Sequence, residues 1–251
     1  PRSTLELDRR QRQMCIRDRL HHVLIVGAGA GLSASIARRF HAGGAAISLA
    51  ARNTDKLGEL VSETGAEVYT CDASKPDQVD VLFANLDKSR SKAPDAVVYN
   101  PSYRVRGSIT ELDPDDVHRA LMVTGYGGFL VARQAARRMS NAGRGVIIFT
   151  GASASMKGYA MSAPFAMGKF ALRGLAQSMA RELQPRGVHV THVNIDGGIR
   201  SEARPERNDA PGKPDSMLDP DAIADTYWHL ANQHRSAWTQ ETELRPWLEN
   251  F

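Results

Sequence analysis

The sequence predicts an α/β fold, a doubly wound parallel sheet of about seven strands with helices on both faces. Three observations carry this expectation. From Leu24 onward, apolar strand-like runs alternate with segments that repeat apolar residues at helical spacing. Helical segments of ten or more residues between strands imply right-handed crossovers, which build parallel sheets covered on both sides. The 251 residues, 42% apolar, suffice for one large domain, and no Pro/Gly linker, internal repeat or low-complexity block divides them.

The first strand, 23–26, runs into Gly27-Ala-Gly-Ala-Gly31 and then a helix over 31–43. Gly27 lets the chain turn. Gly29 and Gly31 let backbone N–H groups approach a pyrophosphate with no Cβ in the way, at a helix N-terminus that favours negative charge. The plainer reading is a glycine-rich loop without a ligand, and the next strand weighs against it. That strand, 45–50, is followed by Arg52 at the spacing expected of the residue that reads an adenosine ribose. A carboxylate there would accept the ribose hydroxyls of NAD. None stands between Ala50 and Thr54, and the planar fork of Arg52 suits a 2′-phosphate, so NADP is expected over NAD. The alternative for Arg52 is a strand end in solvent.

Further strands are predicted near 66–70, 95–99, 145–149, 188–193 and 236–240, and further helices near 54–64, 75–88, 114–139, 163–184 and 219–232. Ligands of such sheets sit beyond the carboxyl ends of the strands. This nominates Asp72, the Asn100–Ser102 stretch, residues 151–155 and residues 196–201. Asp72 either accepts an adenine amino group or caps the helix after Ser74. Asn100 can hold neighbouring loops together near the cofactor. Lys169, flanked by Phe165, Met167 and Phe170, is either a snorkelling surface residue or the anchor of a cofactor hydroxyl. Residues 197–219 carry Pro205, Pro211 and Pro214 and have the length of a lid or a disordered loop.

The net charge of +4 does not read as a nucleic-acid footprint. Residues 1–20 hold six arginines against three carboxylates, and no basic stripe with interleaved aromatics follows. Those residues read as a disordered or vector-derived extension, leaving 21–251 as one NADP-binding domain. Cys71 is then the only cysteine of the fold, which excludes a disulfide framework and fits a reducing cytoplasm. No run reaches the roughly 18 apolar residues of a membrane span, and neither a membrane nor a metal partner is expected. Apolar residues on more than one face of 114–139 and 163–184, among them Leu121, Phe129, Phe170, Leu172 and Leu175, predict a homodimer or homotetramer. Trp238 and Trp247 are large anchors that either close a pocket or dock on a neighbour.

Over about residues 21–251 the chain resembles the single-domain type of the short-chain dehydrogenase/reductase family. The resemblance implies a Rossmann-type fold, a nicotinamide cofactor and a small-molecule substrate. Gly27 and Gly31 match the family's glycine loop, with Ser33 at its third glycine. Asp72 matches its acidic residue, and of its Asn-Asn-Ala-Gly stretch only Asn100 is kept. By this resemblance Gly27, Gly29, Gly31, Leu32, Ser33, Arg52, Asp72, Ala73, Asn100, Lys169, Gly197 and Ile199 bind the cofactor. Lys169 is the lysine of the family's Tyr-x-x-x-Lys motif, whereas the tyrosine falls on Phe165. The active serine falls on Ala152 with Ser153 beside it, the catalytic asparagine on Thr124, and the Pro-Gly pair on Asp196-Gly197.

Phenylalanine cannot donate a proton, yet reducing a ketone places negative charge on oxygen as hydride arrives. Ser153 can polarise that oxygen if its loop is turned by one residue. Tyr159 is either a substitute phenol or a pocket wall or subunit contact. Lys169, Ser153 and Tyr159 are therefore the candidate catalytic residues. Three functions follow. One is an NADP(H)-dependent oxidoreductase acting on a small carbonyl or related unsaturated substrate through a non-standard proton donor. Another is an imine reductase, because a protonated C=N bond already attracts hydride. The third is a catalytically inactive cofactor-binding protein with a regulatory or scaffold role.

Overall fold

Alternation along β1 (His22–Val26) sets the layers of the molecule. Val23 and Ile25 enter one apolar cluster while Leu24 and Val26 enter another, so the strand is buried from both sides. The computed structural model describes residues 20–90, 92–201 and 204–249. The extension predicted over 1–20 lies outside these residues except for Leu20, which is buried in the first cluster and so belongs to the fold.

Six further strands, β2 (Ala46–Ala51), β3 (Glu67–Thr70), β4 (Ala96–Tyr99), β5 (Gly145–Thr150), β6 (Val188–Ile195) and β7 (Glu241–Leu244), complete the sheet. All pairs are parallel in the order β3-β2-β1-β4-β5-β6-β7. The helices are α1 (Leu32–Ala42), α2 (Gly58–Thr64), α3 (Pro76–Arg90), α4 (Pro114–Leu121), α5 (Gly127–Ala142), α6 (Ala163–Leu183) and α7 (Pro220–Ala231). Ile36 and Phe40 of α1, Leu60 of α2 and Ile223 and Tyr227 of α7 cover one face. Phe83 of α3, Leu130 of α5 and Leu172 of α6 cover the other. The chain reverses its winding between β1 and β4, which are neighbours, and their carboxyl ends open the crevice where such folds bind ligands.

Two elements differ from expectation. The last strand is Glu241–Leu244, not 236–240. The Gln233 side chain accepts from the Thr239 N–H and the Trp238 indole donates to the Gln233 carbonyl, closing that stretch into a loop before pairing with β6 begins. Trp238 stacks on His189 of β6 with ring centroids 5.0 Å apart, and the Trp247 indole donates to the Pro214 carbonyl at 3.1 Å. The helix predicted over 114–139 is divided by a π turn at Met122–Tyr126. Beside it, a Cβ on Gly127 would stand 2.5 Å from the Tyr99 hydroxyl and one on Gly128 would stand 2.4 Å from Leu172, so glycine is required for this close packing. No helix among the described residues is long and apolar enough to cross a membrane.

Candidate active site

The turn after β1 is built as a cradle. Gly27 has φ +83°, and a Cβ there would meet Pro101 at 2.8 Å. The Ala50 carbonyl accepts from both the Gly27 and Ala28 N–H groups at 2.9 and 3.1 Å. Asn100 donates from Nδ2 to Ser33 Oγ at 2.7 Å, and Ser33 donates onward to the Gly27 carbonyl at 2.9 Å. Ser33 therefore closes the loop with a hydroxyl where the family pattern has a glycine, and Asn100 ties β4 to it. Gly29 and Gly31 are open: a Cβ on either would meet no atom within 4 Å. Helix α1 begins there with no side-chain cap and no acidic residue in its first turn. Open glycines before an uncapped helix N-terminus suit a diphosphate. The Leu32 side chain is buried in the core, so only its backbone is available to a ligand.

Arg52 is exposed at the end of β2, with no side-chain hydrogen bond or ion pair to another described residue. Asp72 accepts at Oδ1 from the Ser74 N–H at 3.0 Å and the Ser74 hydroxyl at 2.7 Å. Burial works to raise its carboxyl, but the Ser74 bonds together with the charges of Arg52 and Lys75 hold the group below its ordinary value. Asp72 thus closes a turn onto Ser74 ahead of α3 through one oxygen, without capping a helical N–H, and the other oxygen is not engaged in any hydrogen bond among the described residues. Ala73 is buried, its carbonyl packed against Gly127.

On the other side of the crevice, Lys169 is 3% exposed and donates from Nζ to the Thr150 carbonyl at 2.7 Å. This excludes the snorkelling alternative. Burial pulls its ammonium down to about 8. The Phe165 ring, one helical turn earlier, has its centroid 5.8 Å from Nζ. Thr124 is fully buried, with Oγ1 accepting from the Tyr103 N–H at 3.3 Å. Ser153 is half-buried in the turn after β5, and its hydroxyl has no partner among the described residues. Ser155 shapes that turn, accepting from the Ala152 N–H at 3.1 Å. Tyr159 is 43% exposed beside Lys157, and no hydrogen bond joins its hydroxyl to Lys169 or Ser153.

After β6, Gly197 has φ +154°, and the Pro246 ring would stand 2.6 Å from a Cβ there. Asp196 Oδ2 accepts from Arg245 at 2.6 Å, a largely buried pair that ties this loop to the end of β7. Ile199 is half-buried, packs on the core and bridges to Leu218. Arg200 engages Asp209 and Asp219, so the 197–219 segment is clasped at its base.

Residues 21–211, which span the cradle, the winding reversal and the buried lysine, match a family model described as short chain dehydrogenase. The chain belongs to the short chain dehydrogenase family. A cyclic-di-GMP-binding biofilm dispersal mediator protein of Escherichia coli (strain K12) is 33% identical over 185 residues, covering 73% of this chain and 75% of that protein. A crystal structure of a short-chain dehydrogenase from Rhodopseudomonas palustris is 34% identical with TM-score 0.76, covering 90% of this chain and 99% of that one. A metagenomic short-chain oxidoreductase in complex with NADP is 27% identical with TM-score 0.79, covering 91% and 98%. Membership carries the family's general NAD(P)(H)-dependent oxidoreductase chemistry.

Sequence reasoning missed two contacts in this site. One is the Asp196–Arg245 pair. The other is Arg104, whose guanidinium lies over the Phe165 ring at 5.1 Å from its centroid. Arg104 follows β4, where ligand-facing residues are expected, and its alternation with Arg106 was the available signal.

Proposed function

We propose that this chain is an NADP(H)-dependent oxidoreductase that reduces a small carbonyl or related unsaturated bond, with Phe165 standing where the family's catalytic tyrosine would be. The observation that carries the reading is the buried Lys169 beside a phenylalanine instead of a phenol. A bound NADPH supplies the hydride. Gly27 would shape the turn, its own N–H being held by the Ala50 carbonyl, while Gly29, Gly31, Leu32 and Ser33 would cradle the diphosphate through backbone N–H groups, Arg52 would take the 2′-phosphate, and Asp72 and Ala73 would border the adenine. Asn100, Gly197 and Ile199 line the crevice toward the nicotinamide, and Asp196 with Arg245 keeps Gly197 in place.

Lys169 has three ammonium hydrogens, and Thr150 takes one. The others would be available to cofactor hydroxyls and to the oxygen that gains charge. Because burial brings the group to about 8, it is charged at neutral pH and close to releasing a proton. Ser153 offers a free hydroxyl to the same oxygen. Tyr159 contributes only if residues 156–162 move inward. Ser153→Ala, Tyr159→Phe and the double variant test this: at least about a tenfold loss in hydride-transfer rate with NADPH binding intact identifies the donor. Three full-rate variants would remove both residues from the mechanism.

A relative named for binding a cyclic dinucleotide supports a second reading, a cofactor-binding regulatory or scaffold protein without turnover. Arg104 above Phe165 weighs against an imine reductase, because its charge opposes a protonated C=N substrate. We further infer that residues 197–219 act as a lid over a single domain, and that the chain pairs as a homodimer or homotetramer. The outer faces of α5 and α6 support the pairing: Phe129 and Phe170 are exposed beside a groove of about 590 Å³ that Phe129 and Leu175 line. The buried free Cys71 suits a reducing cytoplasm.

A further inference from the structure

Arg104 and Arg106 stand at alternate positions in the segment after β4. Hydrogen bonds fix the segment at both ends: the Tyr103 N–H donates to Thr124 Oγ1 at 3.3 Å, and the Gly107 N–H to the Met161 carbonyl at 3.1 Å. Arg207 comes from the short helical turn Pro205–Arg207 in the lid-like segment. The Arg104 guanidinium carbon is 5.1 Å from the Phe165 centroid, and Lys169 Nζ is 5.8 Å from the same point. These two distances limit the separation of guanidinium and ammonium to about 11 Å. Arg104 is an exposed residue, and partial desolvation together with the like charges of Arg106 and Arg207 holds its guanidinium below its ordinary value.

None of the three arginines has a carboxylate partner among the described residues. Elsewhere such partners are common: Arg38 has Glu63, Arg138 has Asp87, Arg173 has Glu241, and Arg200 has Asp209 and Asp219. Asp209, two residues past Arg207, is committed to Arg200 and the Met217 N–H. Backbone hydrogen bonds fix the segment that carries Arg104 and Arg106, the charges of Arg106 and Arg207 repel that of Arg104, and an incoming anion relieves that repulsion. Planar guanidinium forks match carboxylate and phosphate oxygens.

We propose that Arg104, Arg106 and Arg207 form a receptor for an anionic group, a carboxylate or a phosphate, on the substrate whose reducible carbon lies beside Lys169. This rests on the oxidoreductase reading above and narrows its substrate class. The limit on the separation leaves room for a substrate whose anionic group is a few bonds from the reacting carbon. A neutral ketone of the same shape would leave the three charges unrelieved.

The test uses matched pairs with NADPH: 4-oxopentanoate against its methyl ester, and dihydroxyacetone phosphate against dihydroxyacetone. Each variant is read as the ratio of kcat/KM for the charged compound over the neutral one. At least one pair favours the anion by about tenfold or more, as charge-assisted hydrogen bonds allow. Arg104→Ala and Arg207→Ala each lower that ratio by about fivefold or more, and Arg104→Lys keeps part of it. The pair that responds decides between carboxylate and phosphate. A ratio near one for both pairs, or ratios that neither alanine variant moves, overturns the receptor.

Calorimetric titration of the two anions into the NADP⁺-loaded protein separates this inference from the reading it rests on. Binding that Arg104→Ala weakens, without turnover of any compound, supports the receptor and removes the oxidoreductase reading. Turnover of both neutral ketones with no anion preference keeps that reading and removes the receptor. Failure of both anions to bind overturns the receptor as well.

Discussion

Replacing Lys169 with methionine should make the apoprotein more stable while abolishing its chemistry. The ammonium falls from an ordinary 10.5 to about 8 on folding, because burial disfavours its charged form. That difference amounts to about 3 kcal/mol of destabilisation while the lysine is charged in both states. Methionine fills similar space without a charge. It also strands the Thr150 carbonyl, which costs about 1 kcal/mol. The net gain is about 2 kcal/mol at pH 7. The sign with pH follows from proton counting. Between pH 8 and 10.5 the unfolded chain binds the proton that the folded chain has released, so the parent protein gains stability as pH rises through that window. The methionine variant lacks this contribution, so its advantage shrinks across the same window. Urea unfolding of both proteins at pH 7, 8.5 and 10 measures the difference. A Lys169→Met protein less stable than the parent at pH 7, or an advantage unchanged by pH, would show that the buried ammonium carries no such penalty.

Arg52→Ala should weaken NADPH by roughly ten- to a hundredfold and leave NADH nearly unchanged, measured by fluorescence titration of both cofactors. Equal losses for the two would detach Arg52 from the 2′-phosphate. Gly29→Ala should leave the melting temperature of the apoprotein unchanged, since its Cβ meets nothing within 4 Å, yet reduce NADPH affinity by at least about tenfold. An unaltered affinity would place the diphosphate elsewhere. Phe129→Glu combined with Phe170→Glu should convert an oligomer to a monomer by light scattering, and an unchanged mass would move the interface off this face.

The parts of this fold that were legible in the sequence are those whose signal is local. β1, its glycine turn and α1 form one contiguous stretch in which burial on both faces, backbone approach and helical spacing each leave a mark. β7 carries two glutamates, a threonine and a leucine, so it leaves little apolar signature in the sequence. Its position rests on distant partners, Arg173 reaching Glu241 and Asn194 reaching Glu243. The site divides in the same way. Lys169 and Phe165 share one helix, so their relation could be read from spacing. Arg104 meets Phe165, and Asp196 meets Arg245, only through tertiary packing. The same holds for Ser33, whose hydroxyl closes the glycine turn because Asn100 arrives from β4.

On the proposed reading this chain moves hydride to a carbonyl without a phenol at Phe165. Mass spectrometry tests it most directly: NADPH carrying deuterium at the reactive nicotinamide carbon is incubated with the parent protein or Phe165→Tyr and the charged and neutral ketones. Deuterium is expected on the carbinol carbon of product made by the parent protein, with at least about a tenfold faster transfer when Phe165→Tyr supplies a phenol beside Lys169. NADPH that binds tightly while neither protein moves deuterium into any of these ketones would contradict it.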